Sequence, residues 1–260
     1  MRPQPSDGFV WVQAAGGPAL ACSALQPLAP HFFTTRAWAL GSGGPAGDAE
    51  WQPVGDSLGV DAAHLVRVHQ VHGAAVVVRR EGDPIPSGPR PDADIIVTND
   101  RSAALAVQTA DCVPILMADE RTLAIAAAHA GWRGMAAGVP AAAVAALARE
   151  FGARPEDLVA AVGPSIGAER YEVDRAVRDR FAAVHAPADL ARWFPDADRP
   201  DHWLFDGWRS AYDQLVAAGL RRDRVHVAAL CTAAYPDLFC SYRRDGKGAG
   251  RMAAAIRIRG

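Results

Sequence analysis

Four apolar runs, DIIVT (94–98), ALAVQT (104–109), VPILMA (113–118) and LAIAAAH (123–129), follow one another with only a few residues between them. Runs this short and this closely spaced have no room for helices and read as strands buried on both faces. They predict one sheet at the centre of the molecule. Upstream, LVRVHQVHGAAVVV (65–78) is strand-like until the Pro/Gly-rich stretch 83–91, which reads as an exposed loop. Residues 1–60 alternate apolar runs (GFVWVQ, HFFTTRAWAL) with turn-formers (AGGP, GSGGPAGD), the pattern of strands joined by loops. Downstream, 140–151 reads as a helix, with Pro140 in its first turn and Gly152 just past its end. Further helices are predicted over 174–184 and 206–218, and strands over 224–230 and 251–259, where Ile256 and Ile258 alternate with Arg257 and Arg259. APADLARWFPDADRPD (186–201) is the best candidate for an insertion or surface loop. The class is mixed α/β, and with no repeat or composition shift, 1–260 reads as a single domain.

Composition narrows the functions. Hydrophobic residues make up 50% and charged residues 22% of 260, which suits a folded globular chain. The net charge of -2 supplies no field for nucleic acid or an anionic membrane. No apolar run spans a bilayer and no export signal is visible, so a cytoplasmic location is expected, with Cys22, Cys112, Cys231 and Cys240 as reduced thiols. Aromatics at 7% and no definable apolar stripe make a monomer the default expectation. Lys247 is the only lysine, so Schiff-base chemistry is set aside.

HQVHG (69–73), TADC (109–112) and HAGWRG (129–134) concentrate groups that folding does not require, each at a predicted strand end. If those strands are neighbours, His72, Cys112 and His129 can meet. Two imidazoles and a thiolate with an open fourth position describe a catalytic zinc site. Spacing alone does not establish it, because no CxxC or HExxH is present. A single Cys is commonly core filling, and a His at a strand end is commonly just hydrogen-bonded. His69 and His72 lie three apart, so on a strand only one of them reaches a given face. DGKGAG (245–250) precedes a strand and lacks P-loop order, and GPSIG (163–167) is a weak anion-binding signal.

QVHG, DADIIVTND, TADCVPILMAD, AAAHAGWRG, VGPSIG and LCTAAYPDLFCSYRRDGKGAGRMAAAIRI, in order over 64–260, resemble the YfiH family, also called the multicopper polyphenol oxidase or laccase-domain family. The resemblance implies one α/β domain of mixed β-sheets flanked by helices, with His72, Cys112 and His129 as metal ligands. It implies zinc-dependent purine nucleoside phosphorylase activity on adenosine, inosine, guanosine and methylthioadenosine, with adenosine deaminase activity at the same site. Arg36, in HFFTTR, matches the family's arginine near the site. The GGVS-type loop, NLG segment and NR pair of the family are missing from AWALGSGGPAGDAEW (37–51), which puts substrate contacts from that loop in doubt.

Guanidinium forks suit a phosphate or ribose oxygen, so Arg36, Arg133 and Arg243 are candidates for contacting substrate, against the ordinary reading of a solvated arginine. Asp111 could orient a histidine ring or carry a proton, or be a satisfied turn aspartate. Tyr242 could stack on a base or be core packing at a strand end. Two other readings compete. Copper can occupy a His/His/Cys set, which suits a polyphenol oxidase, although no HCH cluster bridges several coppers. A cell-wall (muropeptide) editing role is also associated with the family.

Overall fold

The computed structural model describes residues 2–41, 48–85 and 88–259. In chain order its main elements are β1 (Phe9–Ala14), β2 (Gly17–Cys22), β3 (His31–Thr34), α1 (Gln52–Leu58), β4 (Leu65–Val66), β5 (Val76–Arg79), β6 (Ile95–Thr98), β7 (Ala104–Thr109), β8 (Val113–Asp119) and β9 (Ile125–Ala130). Then come α2 (Trp132–Ala136), α3 (Val139–Phe151), β10 (Leu158–Val162), β11 (Glu172–Asp174), α4 (Arg175–Ala182), α5 (Pro187–Trp193), β12 (His202–Leu204), α6 (Gly207–Ala217), β13 (Val225–Val227), α7 (Tyr242–Asp245) and β14 (Met252–Arg257).

The expected single central sheet is in fact two. One has the order β1-β2-β3-β14-β7-β4 and the other β13-β10-β8-β9-β6-β5, with β11-β12 as a separate pair. Both are mixed, since β4 with β7, β5 with β6 and β10 with β13 run parallel and the other pairs antiparallel. Of the four apolar runs, β7 leaves its neighbours and pairs with β14 and β4. A fully apolar run records that both its faces are covered, not which strand lies beside it.

The sheets pack face to face. Leu105 and Val107 of β7 meet Ile96, Leu116, Ile125 and Val159 of the second sheet in the shared core. The alternate residues Ala104 and Ala106 face outward, under Val54 and Leu58 of α1. On the far side of the second sheet Ile95, Ile115 and Met117 pack against Val144 and Leu147 of α3 and Leu215 of α6. Each sheet is thus covered on both faces, which is why its inner strands show no polar alternation.

The helices start and stop where local chemistry directs. Asp174 caps α4 by accepting from the Val177 N–H, Asp206 caps α6 by accepting from Arg209, and α3 ends at Gly152 in the left-handed conformation (φ 68°). Three expectations are corrected. The 65–78 run is a strand only at its two ends; 67–75 is a loop that crosses from one sheet to the other. The 186–201 segment is not a simple surface loop, because α5 buries Leu190 and Trp193 beside Phe181 and Phe205. The first 60 residues also hold α1, which the turn-rich composition concealed. Of the two loops expected in 41–48 and 83–91, residues 42–47 and 86–87 lie outside the described residues. No helix among the described residues is long and apolar enough to cross a membrane.

Candidate metal centre and cavity

Strand register brings the three ligand candidates together. β8 and β9 pair antiparallel with Val113 opposite Ala130 and Pro114 opposite His129, so Cys112, just before β8, lies beside the end of β9. β6 flanks β9 on its other side, with Ile95 opposite Ala128, and this places Asp94 next to His129. The 67–75 loop then folds over Asp94 and delivers His72. One potential ligand atom from each of His72, Cys112 and His129 lies within 4.8 Å of the others, the Cys112 Sγ to His72 Nε2 distance being 3.9 Å.

Asp94 was missed by the sequence reading and organises this group. It is wholly buried, and its carboxylate accepts from the backbone N–H of Val71 (3.3 Å), His72 (3.0 Å) and Gly73 (2.6 Å) and from His129 Nδ1 (2.8 Å). One carboxylate therefore shapes the loop that carries one histidine and fixes the tautomer of the other, leaving His129 Nε2 free to bind. His72 has a left-handed backbone (φ 62°), held by these bonds. Burial opposes ionisation of Asp94, but hydrogen bonds from His129 and Gly73 outweigh it and keep the carboxyl below its usual range. Its only sequence signal is a charge at the head of an apolar strand.

The ligands are coupled electrostatically. Burial alone would raise the Cys112 thiol, but the charge of His129 and hydrogen bonds from both histidines bring it down to about 6. Burial alone would lower His129, but the Cys112 thiolate and the bond to Asp94 push it up to about 9. The result is a thiolate–imidazolium pair, in which a metal cation would replace the shared proton. Gly131 leaves the room: a Cβ there would fall 2.7 Å from His72 Cδ2 and 3.0 Å from Cys112 Sγ.

The group forms one wall of a cavity of about 630 Å³. Of the predicted site residues, Asp111, Arg133, Tyr242 and Arg243 line it together with the three ligands, as does Arg251, which the sequence reading had not singled out. Arg133 lies over the Trp132 ring at 4.2 Å, and Arg243 lies over Tyr171 at 4.9 Å while donating to the Glu172 carbonyl at 3.0 Å. Tyr242 is not at a strand end but opens α7, and it is half exposed.

Two candidates lie in surroundings other than those sought for them. Arg36 is not among the residues lining the cavity; its guanidinium donates to the Pro236 carbonyl and its backbone N–H to Leu238. The chain turns into a short 3-10 helix at Arg36, which points the side chain along the 236–238 loop. The carboxylate that orients a ring is Asp94 and not Asp111, whose oxygens accept from Thr232 Oγ1 (2.5 Å), Ser241 Oγ (3.0 Å) and the Arg243 N–H (2.6 Å). His69 stays outside the group and pairs with Asp92 on the surface. Because 67–75 is a loop, alternation along a strand is not the cause.

A profile of the family described as multi-copper polyphenol oxidoreductase laccase matches residues 48–259. A purine nucleoside phosphorylase, SCO2081, of Streptomyces coelicolor is 40% identical over 87% of this chain and 94% of its own. The Escherichia coli protein named purine nucleoside phosphorylase YfiH is 37% identical over 74% of this chain and 72% of its own. Among solved structures, a Bacillus licheniformis hypothetical protein YfiH superposes with a TM-score of 0.86 at 26% identity, covering 97% of this chain and all (100%) of that one. YlmD from Geobacillus stearothermophilus gives a TM-score of 0.81 at 28% identity, covering 96% of this chain and 99% of that one.

Proposed function

Since this chain belongs to the YfiH family of laccase-like proteins, we propose that it is a zinc-dependent purine nucleoside phosphorylase that also deaminates adenosine. The observation that carries the reading is the juxtaposition, around one cavity, of a His/Cys/His group able to hold a metal with Arg133, Arg243 and Arg251, while Asp111, the one carboxylate among the described lining residues, is already engaged. Relatives named purine nucleoside phosphorylase at 37–40% identity support it.

The ligand set fits zinc. Bonds of about 2.3 Å to sulfur and 2.0–2.1 Å to nitrogen in a tetrahedron put ligand atoms about 3.3–3.6 Å apart, close to the 3.9 Å between Cys112 and His72. The thiolate, the tautomer fixed by Asp94 and the space left by Gly131 all suit it. Zinc held by His72, Cys112 and His129 would supply, beside the cavity these residues line, a Lewis acid able to polarise oxygen or acidify water. Copper fits the same donors. Among the described residues one such group converges, which favours a single-ion site over a multicopper one.

In phosphorolysis the N9–C1′ bond of the nucleoside breaks and a phosphate oxygen bonds to C1′. The proton of hydrogen phosphate ends on the departing base, so the reaction balances without an external acid. Arg133, Arg243 and Arg251 neutralise and orient the phosphate, a task to which their forked donors are suited. Tyr242 and Trp132 offer ring faces to the purine. Deamination replaces the C6 amino group with a water oxygen and releases ammonia.

Adenosine, inosine and methylthioadenosine are to be incubated with metal-analysed protein, with and without phosphate, beside a Cys112→Ala variant. Free base that requires phosphate, and inosine formed from adenosine, both lost in the variant, is the expected result. Absence of turnover by zinc-loaded protein would overturn the proposal.

A further inference from the structure

Asp111 occupies the position where a proton carrier would be sought, beside a metal ligand and on the cavity wall. Its surroundings point elsewhere. Both oxygens face donors, and the three donors come from two segments remote in sequence: Thr232, then Ser241 and Arg243. The Arg243 donor is a backbone N–H, which cannot rotate away or accept. The contact is closed by a ring of further bonds. Ser241 Oγ, which donates to Asp111, accepts from the Arg244 N–H at 3.2 Å and so caps α7. Arg244 in turn donates to the Thr232 carbonyl (3.1 Å) and to Phe239 (3.0 Å).

The backbone gives an independent sign that this contact matters. Asp111 has φ 90°, a conformation that costs a non-glycine residue on the order of 1–3 kcal/mol and persists only where surrounding bonds demand it. Here it turns the side chain toward 232 and 241–243, while Cys112, the next residue, turns toward the histidines. Tyr242 and Arg243, the two residues that α7 contributes to the cavity, hang from this one carboxylate. Arg243 then reaches Tyr171, another lining residue, and the Glu172 carbonyl.

We propose that Asp111 is a positioning residue: a buried clamp that locks the Thr232 and Ser241–Arg243 segments to the metal-ligand turn and thereby presents Tyr242 and Arg243 to the substrate. It holds the substrate wall in place and does not transfer a proton. The substrate part of this inference rests on the phosphorolytic reading; the clamp itself does not.

Asp111→Asn is the informative variant, because asparagine tolerates positive φ as aspartate does and keeps one oxygen for Ser241 and the Arg243 N–H, while it loses the charge that strengthens these bonds and faces Thr232 with amide hydrogens, forcing that hydroxyl to turn round and accept. Thr232→Val and Ser241→Ala remove one donor each and leave Asp111 intact. Three readouts are taken on the zinc-loaded proteins: metal content, amide hydrogen exchange over 239–250, and the split of kcat against KM for inosine and phosphate. The clamp predicts unchanged metal content, exchange at Arg243 faster by about tenfold or more, and KM raised about tenfold with kcat within about threefold. The two partner variants should move exchange and KM in the same direction by smaller factors. A collapse of kcat with KM and exchange unchanged, and silent partner variants, would overturn the inference in favour of a proton carrier. If the wild-type protein turns over no nucleoside, the phosphorolytic reading fails, and the clamp stands or falls on the exchange pattern alone.

Discussion

Gly131→Ala adds one methyl group at the centre of the candidate metal site. The backbone there has φ -67° and ψ 171°, open to any residue, so the change introduces no backbone strain and acts through contact alone. The new Cβ would sit 2.7 Å from His72 Cδ2 and 3.0 Å from Cys112 Sγ. Carbon atoms pack at about 3.5–4.0 Å, so the His72 ring must retreat by roughly 0.8 Å or more. Metal–ligand bonds hold within about 0.2 Å of their preferred lengths, so a retreat of that size takes His72 out of bonding range unless the whole 67–75 loop follows. The loop is restrained by three N–H bonds to Asp94. Zinc affinity should therefore fall by at least about tenfold, or about 1.4 kcal/mol. The melting temperature of the metal-free protein should barely move, since Gly to Ala at this capping position costs only a few tenths of a kcal/mol to about 1. Competition against a chromophoric chelator measures the first and calorimetry the second. Gly248→Ala, where nothing lies within 4 Å of an added Cβ, is the control. Zinc bound as tightly by Gly131→Ala as by wild type would refute the geometry assigned to His72 and Cys112.

Three further outcomes are expected. Asp94→Asn should weaken zinc binding by about 10–100-fold, read by the same chelator, because an amide cannot accept from all four donors now converging on the carboxylate; unchanged affinity would remove Asp94 from its organising role. His31 is buried, its Nε2 accepting from the Cys22 N–H and its Nδ1 donating to the Ala29 carbonyl, and burial lowers it from 6.5 to about 4. The folded state thus binds that proton less readily than the unfolded chain, so the stabilisation is complete above pH 6.5 and is lost as pH falls through 4. Urea unfolding of wild type should lose roughly 2–3 kcal/mol more than His31→Gln between pH 7.5 and 4.5, and parallel losses would contradict this. Trp193→Ala should cost about 3–5 kcal/mol, seen as a fall in the denaturation midpoint, because Trp193 is 2% exposed, packs edge-on to Phe181 and donates to Asp213; a neutral effect would return 186–201 to the status of a loop.

Much of this molecule is decided locally and was therefore legible without a structure. The helix starting near Pro140 and stopping at Gly152, the helix begun by Asp206, and the final strand with Ile256 and Ile258 inward all follow from caps, turn-formers and periodicity that a few neighbouring residues specify. The family motifs marked His72, Cys112 and His129 for the same reason: each ligand sits within a short distinctive string. What remained hidden is what two distant segments must settle between them. An apolar strand does not encode its partner, so β7 could be assigned to the second sheet's neighbourhood until its pairing with β14 placed it in the first. A buried carboxylate has no local signature that separates a proton carrier from a clamp. Asp94, to which the sequence assigned no role, orients the ring that Asp111 was a candidate to orient, because the donors around them arrive from 71–73 and 129 in one case and from 232, 241 and 243 in the other. Arg36 left the cavity and Arg251 entered it on the same principle. Sequence alone thus determined which chemical groups this protein holds and most of the elements that carry them. Tertiary structure alone decided which of those groups face one another, because hydrogen bonds and exclusion of water act across space between residues that the chain keeps far apart.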